Sequence, residues 1–362
     1  MGKQRNIGLD IARVCAMVLV WVNHSGFFDL GMDPRFMEYG GVACIEVFFV
    51  LSGFLVGRSM LLAITSDQVG VSLKRFYVNR ILRTLPLYYL VLAGLGTYRG
   101  IRPSLLNFLF LHGFNENALG FLPPAWSLPI EAWFYFLIPP VLLLLYRLFS
   151  RKMDQKKAVY LSVAVIALIS FLLRCCHVLV NDPEWDYGVR KQVLVRMDSP
   201  MMGVFLAAVK LYAPETYRKL GKNVLTLLVS AAGFVAMYLW FVPTLRENQG
   251  NPDWIRIFLF SALPACSCLL VAWLENAAWL EIFRGTILEY LICQISSLGY
   301  SSFLLHYPIF VWISGYFVGA SFYYSWAGFG LAIGITLAAS WISWRFIEEP
   351  VAKLKDRILV KN

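Results

Sequence analysis

The sequence predicts an all-α polytopic membrane protein, with about ten transmembrane helices around a central pore and both termini in the cytoplasm. Three observations predict it. Of 362 residues, 59% are hydrophobic and 15% charged, with a mean hydropathy of +0.63, whereas soluble domains run about 45–50% apolar and about 25% charged. Apolar runs of helix length recur along the whole chain, and the segments joining them alternate between rich and poor in Lys and Arg. This balance excludes a soluble globular enzyme.

A hydrocarbon core about 30 Å thick takes roughly 20 apolar residues per helix. Such runs occupy about 7–28, 41–62, 84–98, 126–148, 158–176, 197–213, 223–242, 255–274, 297–319 and 325–347. The stretch 103–122 is apolar but broken by Gly113 and Asn115–Asn117, and reads as an interfacial or re-entrant piece. With the N-terminus inside, the inner segments hold 22 basic residues and the outer ones 9, counting Arg174, Arg190, Lys191 and Arg196 as outer. That asymmetry is what the positive-inside rule requires. Lys3 and Arg5 before the first run resemble a secretory signal, but Arg13 interrupts the run and no small-residue cleavage site follows, so it reads as an uncleaved span. Internal repeats and long hydrophilic stretches are absent, so residues 1–362 read as a single membrane domain with no separate soluble domain.

The net charge of +10 does not indicate a nucleic-acid partner, because the basic residues sit in short blocks between apolar runs. The seven cysteines lie mostly inside apolar runs without metal-ligand spacing, and are expected to be buried reduced thiols; no metal is expected.

Ionisable side chains cost about 2.5–3.5 kcal/mol at the bilayer centre, so those inside spans mark function or interhelix pairing. Arg13, His24, Glu46, Glu131 and His306 are the candidates. Arg13 and His24 stand eleven residues apart, close to three full turns, so they share one helix face about 16 Å apart along the axis. They line one cavity without touching. Glu46 and Glu131 fall in the same outer half as His24, where a carboxylate would orient the imidazole as a base. Arg80 and Arg83 are i,i+3 on one face, just after Lys74 and Arg75, and four cations there suit a phosphate-bearing ligand. Each has a plainer reading: topology signals for the cations, interhelix pairs for Glu46 and Glu131, and a local ion pair between Asp10 and Arg13.

In combination these segments resemble the membrane acyltransferase-3 family. The resemblance rests on six pieces in order: GLDIARVCAMVLVWVNH (8–24) with its Arg, ten residues, His spacing; FFVLSGFLV (48–56); RFYVNRILRTLPLYYL (75–90); PAWSLPIEAWFYFLIPP (124–140); YSSFLLHYPIF (300–310); and RFIEEPVAKL (345–354), which contains Glu348. It runs from about residue 7 to 355, and the chain's end at Asn362 fits a stand-alone form without an SGNH domain. The resemblance implies transfer of an acyl group, usually acetyl from acetyl-CoA, to a hydroxyl of a cell-envelope or exported carbohydrate. By matching positions, His24 is the implied catalytic base with Arg13 as its partner. Glu131 matches the WSLxxE glutamate, His306 the HxP histidine, and Ser52 with Gly53 the SGF turn. Arg80 and Arg83, with Arg75 beside them, match the acyl-donor entrance. The oxyanion donor stays open among Ser52, Trp126, Ser127 and a backbone amide. Pro129 is expected to loosen the first turn of the fourth span.

The expected donor is acetyl-CoA or another acyl-CoA from the cytoplasm, and the expected acceptor a glycan, such as lipopolysaccharide or exopolysaccharide, or a lipid-linked glycan on the outer side. Localisation to a bacterial inner membrane follows, with the bilayer and a homo-oligomeric copy as further partners. Direct transfer is placed ahead of an acyl-His24 intermediate. The alternative from another class is a transporter or flippase, for which buried Arg and His along a pore are equally natural.

Overall fold

The computed structural model describes residues 5–114, 121–246 and 252–360; Lys3, the Asn115–Asn117 break and Lys361 lie outside the described residues. Among the described residues the regular structure is helical throughout. In chain order the helices are α1 (Ile7–Asn23), α2 (Pro34–Ile64), α3 (Val69–Arg99), α4 (Leu105–Phe108), α5 (Ser127–Phe149), α6 (Gln155–Asn181) and α7 (Asp198–Tyr212). They continue as α8 (Pro214–Lys222), α9 (Val224–Arg246), α10 (Asp253–Asn276), α11 (Ile287–Ser297), α12 (Gly299–Ser314), α13 (Phe322–Ser343) and α14 (Glu349–Val360).

Among the described residues seven segments are long and apolar enough to cross a membrane: Ile7–Phe27, Pro34–Ile64, Pro123–Phe149, Gln155–Asn181, Val224–Thr244, Asp253–Asn276 and Phe322–Leu354. The chain is a multi-pass membrane protein. The other three expected spans coincide with α3, whose 31 residues carry the RxxR cations, and with α7 and α12, of 15 and 16 residues. Large apolar side chains such as Val18, Leu168, Leu228 and Trp341 stand exposed on the spans, as lipid-facing residues do. All seven cysteines are free, but they are not uniformly buried. Cys15 and Cys176 are exposed, because they fall on the outward faces of α1 and α6.

The chain forms two compact units: the first holds Met1–Ile45, Ile81–Pro103 and Ala278–Asn362, and the second Glu46–Arg80 and Ser104–Ala277. In the first, α1 packs on α11 and α12, and α12 packs on α13. Asn6 caps α1 by accepting the Leu9 N–H at 3.0 Å, and the helix closes at His24, where the chain tightens into a 3₁₀ turn over His24–Phe27. A π turn at Trp344–Glu348 joins α13 to α14.

In the second unit α6, α7 and α10 pack together, with α5 on α6 and α9 on α10. Asp154 caps α6 by accepting the Lys157 N–H at 3.0 Å, which holds its carboxyl below the usual range. The segment around Ser52 and Gly53 is not a turn but the interior of α2. Gly53 and Gly57 let that helix approach α7: a Cβ on Gly53 would collide with the Pro200 carbonyl, and one on Gly57 would stand 2.9 Å from Val204 Cγ2. Two small residues four apart permit backbone contact between helices in a membrane. Pro129 also behaves differently from expectation. It lies in the first turn of α5, where its missing N–H would have had no intrahelical acceptor, so the turn is undisturbed.

Candidate active site

The first unit gathers polar groups at both ends of α1. At the N-terminal end Asp10 is 1% exposed and serves as a hub. It accepts from Arg5 Nε at 3.0 Å and Nη2 at 2.8 Å, from Arg13 Nη1 at 2.9 Å and from Ser296 Oγ on α11 at 2.6 Å. Arg13 therefore does not stand alone in its span; the local pair with Asp10 is present. One carboxylate serves two guanidinium groups, leaving an excess of positive charge. Arg83 of α3 adds to it, acting electrostatically on both Arg13 and the half-buried Glu348.

At the other end His24 Nδ1 lies 3.1 Å from Nε2 of His306 on α12. The His306 ring is fully buried, with Nδ1 3.1 Å from the Ser302 carbonyl oxygen, and Tyr307 meets the His24 ring edge-on at 5.5 Å between centroids. Pro308 follows two residues after His306 and offers no N–H to the Leu304 carbonyl, marking a local interruption of α12. The two histidines are 282 residues apart in sequence. Sequence reasoning named both but did not pair them.

The second unit holds the other candidates. Ser52 Oγ donates to Glu131 Oε1 at 2.8 Å and lies 2.8 Å from the hydroxyl of Tyr135, which itself donates to Glu131. Arg80 stands over the Tyr135 ring, with Cζ 5.7 Å from its centroid. Tyr135 was missed from sequence, although its position four residues after Glu131 on α5 places both on one face. Glu131 is thus tied to a hydroxyl cluster. Glu46 is buried and ion-paired with Arg196, the interhelix pair that its plainer reading described.

Arg196 and Arg174 correct the charge census. Both were counted as outer-loop cations, yet both are wholly buried. Arg174 donates to Asp198 through Nη1 at 2.8 Å and Nη2 at 2.7 Å, and to the carbonyls of Val195 and Ile257. The signal was present: Arg174 and Asp198 fall inside expected spans 158–176 and 197–213. Trp126 packs its ring 4.7 Å from the Arg190 guanidinium, and Ser127, buried, opens α5. Lys74 and Arg75 are exposed on α3. Among the described residues no group of three His, Cys, Asp or Glu converges as a metal site would need.

The Acyl_transf_3 family, described as an acyltransferase domain, matches residues 6–345. The chain belongs to this family. It is also similar to the O-acetyltransferase OatA of Staphylococcus aureus strains NCTC 8325 / PS 47 and COL, 26% identical over 374 residues in each. The match takes in 96% of this chain and 57% of each relative, so the chain spans a little over half their length. No solved structure matches. Family membership sets the acyltransferase reading ahead of the transporter, and the match to residues 6–345 takes in α1, α12 and the RxxR segment of α3 together.

Proposed function

We propose that this chain transfers an acyl group, acetyl foremost, from cytoplasmic acyl-CoA to a hydroxyl of a cell-envelope glycan in a bacterial inner membrane, with His24 as general base. The observation that carries the reading is α1 itself. One helix presents an imidazole, held by His306, at one end and a surplus of guanidinium charge at the other. Acyl-CoA is polyanionic, and Arg13 with Arg83 would meet its phosphates and direct the thioester along α1.

His24 takes the proton of the acceptor hydroxyl while the oxygen attacks the thioester carbonyl. The tetrahedral oxyanion collapses, the C–S bond breaks, and the proton passes from His24 to the departing CoA sulfur. Stabilising that oxyanion calls for a hydrogen-bond donor at the carbonyl, and a backbone amide would serve.

The test is transfer of label from radiolabelled acetyl-CoA to the envelope glycan in inverted native-membrane vesicles, with free CoA thiol measured in parallel. Wild type should release thiol and label glycan in equal amounts. His24→Ala should lose both by at least a hundredfold at equal abundance, the scale of a lost general base. Glycan labelling that persists in His24→Ala, or export of glycan without thiol release by the wild type, overturns the reading.

A further inference from the structure

The contact between His24 and His306 identifies which ring nitrogen takes the proton, an inference that rests on the proposed role of His24 as base. His306 Nδ1 is 3.1 Å from the carbonyl oxygen of Ser302, one turn earlier on α12. A carbonyl only accepts, so the hydrogen of this bond is on Nδ1. In a neutral imidazole the other nitrogen is then the acceptor, and His306 Nε2 faces His24 Nδ1 at 3.1 Å. The shared hydrogen therefore belongs to His24 Nδ1. With both rings neutral this is the single consistent pattern, and it puts the His24 lone pair on Nε2.

We propose that His306 is a positioning residue that locks His24 in the tautomer with hydrogen on Nδ1, making Nε2 the atom that removes the acceptor's proton. Which nitrogen of a histidine carries the hydrogen is set by the bond its other nitrogen makes, and here that bond is anchored to the backbone. The His306 ring is fully buried, with the Phe303 and Phe310 rings at 6.0 and 5.7 Å between centroids, so its orientation is fixed. Tyr307 lies edge-on to His24 at 5.5 Å and is itself braced edge-on by Phe27 at 5.3 Å. The partner is an imidazole rather than a carboxylate. It orients His24 and keeps accepting its Nδ1 hydrogen when Nε2 gains the proton, while adding no negative charge beside the acceptor.

Two measurements on the purified full chain in lipid nanodiscs and in native vesicles test this. Histidine-selective nitrogen NMR should show His24 with hydrogen on Nδ1 and a bare Nε2 in the wild type, and a mixture of tautomers in His306→Leu. In the vesicle assay His306→Leu should lower kcat about a hundredfold, with the KM for acetyl-CoA unchanged within about twofold. His306→Gln places an amide oxygen where Nε2 stands and should recover most of that loss. His306→Asn restores only the bond toward Ser302 and should not. A hydrogen on His24 Nε2 in the wild type, or equal losses in the Gln and Leu variants, overturns the proposal. Failure of the base reading is separate: it would show as activity retained in His24→Ala, whatever the tautomer.

Discussion

In the second unit Arg174 uses all five of its N–H donors on Asp198, Ser261 and the carbonyls of Val195 and Ile257. In the first unit Arg5 and Arg13 divide the single carboxylate of Asp10, with the charge of Arg83 close by. Both arrangements bury a carboxylate. The difference is that one is complete and the other is in surplus. A completed pair fixes a helix contact and has nothing left to give a ligand. A surplus at one end of α1, with His24 held by His306 of α12 at the other, leaves capacity for an anion and for a proton. Burial of charge alone therefore does not distinguish chemistry from architecture in this protein; the balance of donors and acceptors does.

The largest effect should come from breaking the completed side. Arg174→Leu leaves Asp198 buried without its cation, which should cost about 3–5 kcal/mol and show as a collapse of the apparent Tm and of abundance. Replacing both, Arg174→Met with Asp198→Leu, should recover most of it, since an apolar pair of similar volume substitutes for a buried ion pair. If the double variant is as unstable as the single one, the pair is more than architecture and the comparison fails. On the surplus side, Asp10→Asn should leave the fold largely intact through its remaining hydrogen bonds. It should nevertheless lower kcat/KM by about tenfold, the scale of one hydrogen bond to a charged group, because Arg13 loses the carboxylate that holds it. Arg83→Ala should raise the KM for acetyl-CoA about fivefold at unchanged kcat, equivalent to an exposed ion pair of about 1 kcal/mol. An equal change in the KM for the acceptor would instead assign Arg83 to folding. Smallest of all, Arg345→Ala breaks the exposed pair with Glu349 and should move the Tm by no more than about 1 °C, since solvent screens such pairs.

The membrane class was legible because it depends on apolar run length, which a sequence displays directly. The extent of α3 was less so. The run 84–98 marks only its apolar portion, and Arg80 and Arg83 turned out to lie in the middle of a helix that begins at Val69. Among the site residues, Asp10 with Arg13 was legible as a pair because a spacing of three along one helix brings their side chains together. His24 with His306, and Arg196 with Glu46, were not. Their contacts join residues 282 and 150 positions apart, and no periodicity within one helix carries that information. Gly53 was noticed for its motif and misplaced as a turn, since a glycine that opens a helix interface and one that bends a chain look alike until the neighbouring backbone is known.

The second unit is inserted between parts of the first, so α1 leaves the ribosome long before α11 and α12. Ser296 follows Asp10 by 286 residues, a wait of about 15–60 s at common rates of synthesis. During that interval α1 must sit in lipid or at the insertion machinery with the Arg13 cation inside its span. Its near neighbours solve the problem in advance: Asp10 is within reach of both Arg13 and Arg5 along the same stretch of chain. The nascent helix can offset part of its own charge before any tertiary partner exists, whereas His24 meets His306 only when nearly the whole chain has been made. The order of synthesis thus secures insertion first and the orientation of the base last.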